Sequence, residues 1–359
     1  MWKSLGIVGG LCIATTALGQ ENTESENHLG AAGPGIETTP IINGEDASID
    51  DYPEAGGLIA KGKLGPLEGT VFLCSSTLIA PDVVLTAAHC VDVENMIGVE
   101  LDELSYHYIR DYDLTRFQFG STTGDIPQDA GNSAEHLPHP DFVGSQGVQI
   151  GLAKNHDIAL VFLEEAVDYP YAYLPTKEEV SQEVEGLDVV IVGWGQQEQD
   201  AGAGQVQLKQ MADSYISIMG ETEFQVGANK EDGRKCHGDS GGPSFAWVET
   251  EALEDMRVIG VTSHAFDTTD CNNTGGVDTR VSAYLDWIDA EMRSRCENGT
   301  RVWCEEPGII PPPMPVQEDT GDGEEEPVGG CACSAGTLHG TSLGLLLALP
   351  LIVRVRRRK

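Results

Sequence analysis

Basic residues are scarce in this 359-residue chain: 21 Lys and Arg stand against 58 Asp and Glu, giving a formal net charge of −37. Five of those 21 fall in the last six positions, Arg354 to Lys359, so the remainder is more acidic still. A surface so poor in positive charge repels phosphate backbones, which excludes nucleic acid as a partner. The acidity marks no site by itself; an excess of carboxylates serves solubility or salt tolerance. Long apolar runs are also lacking. The two apolar stretches, Leu5 to Leu18 and Leu343 to Val353, both fall short of the ~20 residues that a membrane-spanning helix needs. No internal repeat is visible, so solenoid and array architectures have no support.

Hydrophobic residues make up 40% of the chain, enough for a real core, and 43 Gly with 18 Pro point to many turns. That favours an all-β fold or long loops over a helical bundle. Met1-Trp2-Lys3, the first apolar run and a small-residue end at Ala17-Leu18-Gly19 read as a secretory signal peptide over residues 1–19. Cys12 leaves with it. Of nine cysteines, setting aside Cys12, Cys331 and Cys333 leaves six that an exported chain can oxidise. Six cysteines allow 15 connectivities. Residues 297–330 hold nine Asp and Glu against one Arg, with Pro311-Pro312-Pro313, and read as a disordered acidic stalk. Residues 331–359 follow with Cys331-Ala332-Cys333, the short hydrophobic tail and the Arg cluster, whose charge favours a cytoplasmic end. This arrangement resembles the MYXO-CTERM class of bacterial C-terminal sorting signals. The resemblance implies sorting machinery as a partner and display at the bacterial surface (outer membrane), or release after processing.

Between residues 41 and 290 short β-branched or alternating runs are bounded by Gly, Pro and Asp: Thr70 to Leu73, Thr77 to Ile79, Val83 to Thr86, Asp188 to Val192 and Val258 to Thr262. Val281, Leu285, Ile288 and Met292 then recur at helical spacing and predict one amphipathic helix.

Three segments carry chemistry: Leu85-Thr86-Ala87-Ala88-His89-Cys90, Asn155-His156-Asp157-Ile158-Ala159-Leu160, and Cys236-His237-Gly238-Asp239-Ser240-Gly241-Gly242-Pro243. A serine hydroxyl is a poor nucleophile without an adjacent base. Histidine titrates near neutrality, and a carboxylate on its far nitrogen orients it and stabilises the imidazolium. In this order, with Gly193-Trp194-Gly195, Ile41-Ile42-Asn43-Gly44 and Ser282 to Ile288 in support, the segments resemble the chymotrypsin/trypsin-like serine proteases over about 250 residues. The resemblance implies two packed six-stranded antiparallel β-barrels with a C-terminal α-helix, over residues 41–296. It implies Ser240 as nucleophile, His89 as base and Asp157 as its orienting acid, with amides of Gly238 and Ser240 at the oxyanion. It implies bridges Cys74 to Cys90 and Cys236 to Cys271; Cys296 and Cys304 remain, either closing a small loop at the stalk base or staying free or intermolecular. No cofactor and no metal ion are expected. The carboxylates Glu94, Glu100, Asp102 and Glu103 match no calcium motif.

By the same resemblance residues 20–40 form a propeptide, and the new amino group of Ile41 pairs with Asp239 on activation. Pro40 stands where many relatives have Arg or Lys, so the expected activating protease is not the chain itself. Six residues before Ser240, at the family's pocket base, stands Arg234 in place of an acid, which disfavours cleavage after Lys or Arg. Two readings stay open: Arg234 attracts an acidic P1 side chain, or Asp278, beside Gly276-Val277, neutralises it and leaves a small neutral pocket. A loop shift that displaces Arg234 is the third. Ser263-His264-Ala265 forms the rim; Ala265 favours small side chains and His264 offers a group for an acid. The expected function is a secreted or surface-displayed serine endopeptidase acting on protein or peptide substrates. Its rival is a non-catalytic binding protein on the same fold.

Overall fold

A computed structural model describes residues 41–117, 124–195, 208–249, 254–267, 271, 274–297, 301 and 304. The expected leader, propeptide and sorting tail, and nearly all of the expected stalk, lie outside the described residues.

After a two-residue strand β1 (Glu45–Asp46), six strands close the first barrel: β2 (Ala55–Leu64), β3 (Leu67–Ala80), β4 (Val83–Thr86), β5 (Glu103–Ile109), β6 (Gly131–Pro138) and β7 (Ala159–Leu163). Around the barrel they run β2-β3-β4-β7-β6-β5, and every pairing is antiparallel. A short helix α1 (Val93–Ile97) follows β4. The second barrel is built from β8 (Asp188–Gly193), β9 (Gln210–Met219), β10 (Glu223–Val226), β11 (Pro243–Glu249), β12 (Glu254–Ala265) and β13 (Gly276–Arg280). Its ring β9-β10-β13-β12-β11-β8 closes because β8 pairs with both β11 and β9, while β1 adds to β9. The helix α2 (Leu285–Glu297) ends the domain.

The apolar periods explain these elements. All five residues of β7, Ala-Leu-Val-Phe-Leu, are buried, as expected of a strand covered on both faces. Ile288 and Met292 of α2 are buried with Val281 and Tyr284 in one cluster with first-barrel residues, so the helix seals that barrel. Trp194, Phe245, Val258 and Val261 of the second barrel join the same cluster, and the two barrels therefore share a core. Removing this apolar surface from water contributes roughly 25 cal/mol per Å².

One boundary differs from the sequence reading. Thr70 to Leu73 and Thr77 to Ile79 belong to one 14-residue strand, β3. The polar interval Cys74-Ser75-Ser76 reads as a break but is satisfied in place. Ser75 Oγ donates to Gly238 O at 3.0 Å and Ser76 Oγ to Gly56 O at 3.1 Å, and Cys74 is disulfide-bonded. Buried polar groups persist only when paired in this way. Among the described residues no helix is long and apolar enough to cross a membrane.

Candidate active site

Three loops carry the candidate catalytic residues His89, Asp157 and Ser240. His89 sits in a 3₁₀ turn, Ala88–Val91, just after β4. The Cys74–Cys90 bridge ties that turn back to β3, with Cα atoms 6.1 Å apart. Asp157 precedes β7, at the end of a loop held by a buried carboxylate. Glu223 accepts backbone N–H bonds from Ala153, Lys154 and Asn155 at 2.6, 3.1 and 2.8 Å. Lys154 and His156 adopt left-handed φ values of 58° and 53° on either side of Asn155. Non-glycine residues hold such angles only where their surroundings over-determine them. Ser240 lies in the turn before β11. Its carbonyl accepts from Ser75 N at 2.9 Å. A Cβ on Gly241 would fall 2.2 Å from Thr86 Oγ1, so only glycine lets this turn press against the strand that leads to His89.

His89 and Asp157 form a tight pair. Asp157 Oδ2 lies 2.7 Å from His89 Nδ1, and Oδ1 accepts the His89 backbone N–H at 2.8 Å. Ser263 Oγ donates to Asp157 Oδ2 at 2.5 Å, and Thr279 Oγ1 donates to the Asp157 carbonyl at 2.8 Å. The Asp157 side chain is wholly buried and the His89 ring is partly open. Burial pulls the His89 pKa down, but the charge and hydrogen bond of Asp157 outweigh it and hold the imidazole above its ordinary value. Burial likewise pushes Asp157 up, and His89 and Ser263 reverse it to a net lowering. The pair is built to favour an imidazolium beside a carboxylate. Among the described residues no hydrogen bond yet joins Ser240 Oγ to His89, a contact that often tightens only with substrate bound. The amides of Gly238 and Ser240 donate to no protein acceptor among the described residues. Gly238 has φ 99°, and a Cβ there would come within 2.8 Å of Gly195 Cα.

Asp239 is buried beneath this turn. Its carboxylate accepts from Gly195 N and Cys236 N, both at 2.8 Å, and burial raises its pKa to about 6. Cβ atoms on Gly193 or Gly195 would fall 2.1 and 2.5 Å from that carboxylate, which explains both glycines of Gly193-Trp194-Gly195. Ile41 is fully buried in the second barrel's cluster with Val189 and Ile191. Its segment docks on the 230–234 loop through Asn43 Nδ2, which donates to Lys230 O and Asp232 O at 2.7 and 2.8 Å.

Beside Ser240 opens a cavity of about 310 Å³. Ser263, His264, Ala265 and Gly276 line it, but Arg234 and Asp278 do not. Arg234 pairs in extended form with Ile42, and successive side chains of an extended segment point to opposite sides. Its guanidinium therefore turns away, to the carbonyls of Lys230 at 2.8 Å and Asp232 at 3.3 Å. The next residue, Lys235, faces the cavity. Its Nζ donates to Asp278 Oδ1 and Oδ2 at 2.9 and 2.8 Å and to Ser244 Oγ at 2.8 Å. Placing Arg234 at the pocket base is thus corrected by one residue, and the partner of Asp278 is Lys235. Both ring nitrogens of His264 are engaged, Nδ1 with Ser263 Oγ at 2.8 Å and Nε2 with Gly151 O at 2.9 Å. Val148 and Ile150, from the loop before Asp157, also line the cavity; nothing in their spacing pointed to it.

All six expected cysteines are bridged: Cys74–Cys90, Cys236–Cys271 and Cys296–Cys304. A family model described as Trypsin matches residues 41–288. Melanization protease 1 of Drosophila melanogaster is 28% identical over 276 residues, covering 71% of this chain and 66% of that protein. CLIP domain-containing serine protease B10 of Anopheles gambiae is 30% identical over 278 residues, covering 70% of each. A trypsin of Phaedon cochleariae is 27% identical, covering 73% of this chain and 93% of the relative.

Proposed function

The chain belongs to the trypsin family and is a serine-type endopeptidase, and from that premise we propose that Ser240, His89 and Asp157 carry its catalysis. His89 takes the proton of the Ser240 hydroxyl as Oγ attacks the scissile carbonyl, and returns it to the leaving amine. Asp157 keeps the ring oriented and its positive charge paired. The amides of Gly238 and Ser240 receive the charge that develops on the carbonyl oxygen. Water then repeats the attack on the acyl-enzyme and frees the second product. The observation that supports these roles most is the His89–Asp157 contact of 2.7 Å over a buried carboxylate, with Ser240 on the wall of the adjoining cavity. A fluorophosphonate probe tests it: labelling is expected on the active protein and lost in Ser240→Ala, and labelling that survives the substitution overturns the assignment.

Specificity follows from the cavity floor. An ammonium has three donors, and Lys235 spends them on three oxygens. Lys235 keeps no donor for an acidic P1 side chain, and the described residues that line the cavity include no carboxylate for Lys or Arg. We therefore read the P1 preference as small and neutral, with Ala265 narrowing the mouth. Profiling a peptide library decides, and strong cleavage after Lys or Arg overturns this reading.

Activation and location complete the proposal. Residues 20–40 act as a propeptide; cleavage before Ile41 by another protease creates an ammonium for the buried Asp239, which needs such a partner. N-terminal sequencing of active protein checks it, and a start well away from Ile41 counts against it. Residues 1–19 direct export, 297–330 form a stalk, and 331–359 engage sorting machinery at the bacterial surface.

A further inference from the structure

On the loop between β6 and β7, one residue from Asp157 but outside the triad, three side chains converge. His139 follows β6 directly, Asp141 comes two residues later, and His156 immediately precedes Asp157. One ligand atom from each lies within 4.8 Å of the other two. The two imidazoles stack with centroids 5.5 Å apart and planes at 13°. Two similar groupings, around His89 and His237, carry cysteines already bound in disulfides, which offer no thiolate to a metal.

The surroundings are those of a built site. Tyr284 and Trp287 meet the His139 ring edge-on at 5.0 and 4.9 Å, forming an aromatic wall. The Tyr284 hydroxyl lies 3.0 Å from His156 Nδ1. With Nδ1–H donating to that hydroxyl, His156 keeps its lone pair on Nε2, as metal-binding imidazoles do when an outer partner fixes the tautomer. His139 Nδ1 accepts a long 3.2 Å bond from Asp141 N, which a metal bound at that nitrogen displaces. The backbone is anchored on both sides: His139 N donates to Ile158 O, and Phe142 N to His139 O, each at 2.9 Å.

We propose that His139, Asp141 and His156 bind a divalent transition-metal ion of the Zn²⁺ class. Two imidazoles and a carboxylate suit such an ion with water in the fourth position. Ca²⁺ and Mg²⁺ prefer all-oxygen shells. The ion clips together both ends of the loop that carries Val148 and Ile150 to the cavity wall. Occupancy therefore stiffens residues 141–155. Binding itself does not depend on the protease assignment.

Calorimetric titration of the purified full-length protein with Zn²⁺ is the test, with hydrogen exchange as the second readout. One equivalent is expected, with slowed exchange over 141–155 and no displacement by Ca²⁺. His139→Ala and His156→Ala each reduce affinity at least about 100-fold, and Tyr284→Phe, an outer partner, about 10-fold. Asp141→Asn, at an exposed position, gives the same direction of loss should a histidine variant fold poorly. No binding up to millimolar Zn²⁺, undiminished binding in Asp141→Asn with both histidines replaced, or equal binding of Ca²⁺ overturns the proposal.

Discussion

Replacing Lys235 by Ser removes the cation from the floor of the cavity and leaves Asp278 behind. The two side chains are 1% and 0% exposed, and taking one partner from a buried pair costs about 3–5 kcal/mol because the other charge stays uncompensated. The urea midpoint of Lys235→Ser is therefore expected to fall sharply. The same unpaired carboxylate changes what the pocket accepts. A P1 Lys or Arg brings a new cation to it, and recovering about 2 kcal/mol of the lost pairing in the transition state corresponds to ~30-fold in kcat/KM. The assay is a set of chromogenic peptides differing only in P1, Arg against Ala or Val, run on both proteins. The expected result is a shift toward Arg of about that size, cancelled in the double variant Lys235→Ser, Asp278→Ala, which also regains stability. An unchanged P1 ratio in a folded Lys235→Ser protein would refute the view that this pair neutralises the floor.

Two further predictions concern pH. Because Asp157 outweighs burial in raising His89 above its ordinary 6.5, the acidic limb of kcat/KM should lie above pH 6.5. Asp157→Asn leaves burial to dominate, so the limb moves down and kcat falls about 10⁴-fold; a limb that stays put in this variant counts against the pairing. The second follows from Asp239, whose pKa stands at about 6 in the fold against 3.8 for an ordinary aspartate. A raised carboxylate stabilises the fold in its protonated form, fully below pH 3.8, and that contribution of about 3 kcal/mol is lost as pH rises through 6. Protein still carrying residues ahead of Ile41 should show this loss in urea melts between pH 4 and 7, and protein starting at Ile41 should be spared it. Equal losses in both forms would remove the proposed ammonium partner.

The proposed reactive groups stand out in the sequence because each sits in a segment whose neighbours serve the same task. The glycines around Ser240 permit a turn that no other residue fits, and Gly193 and Gly195 leave room for Asp239. The two-barrel fold came from those motifs and not from strand patterns, which broke β3 at its polar middle. What stayed hidden depends on tertiary placement. Whether Arg234 or Lys235 faces the cavity is a matter of parity along an extended segment, set by the bridge of Arg234 to Ile42, 192 positions away. The cradle that Glu223 makes for the Asp157 loop joins residues about 70 apart, and no local pattern announces it. Val148 and Ile150 reach the cavity through a loop with no period at all.

The chain beyond α2 is stapled as well as linked. Cys296–Cys304 closes a small ring, and inside it Arg301 donates to Asp82 Oδ2 at 3.0 Å and to Leu163 O at 2.5 Å, its guanidinium 5.2 Å from the Phe162 ring centre. The ring thus holds a clamp on the first barrel, at the turn before β4 and the end of β7. Reducing this one bridge should therefore loosen the Arg301 clamp, and faster hydrogen exchange around Asp82 and Leu163 would report it.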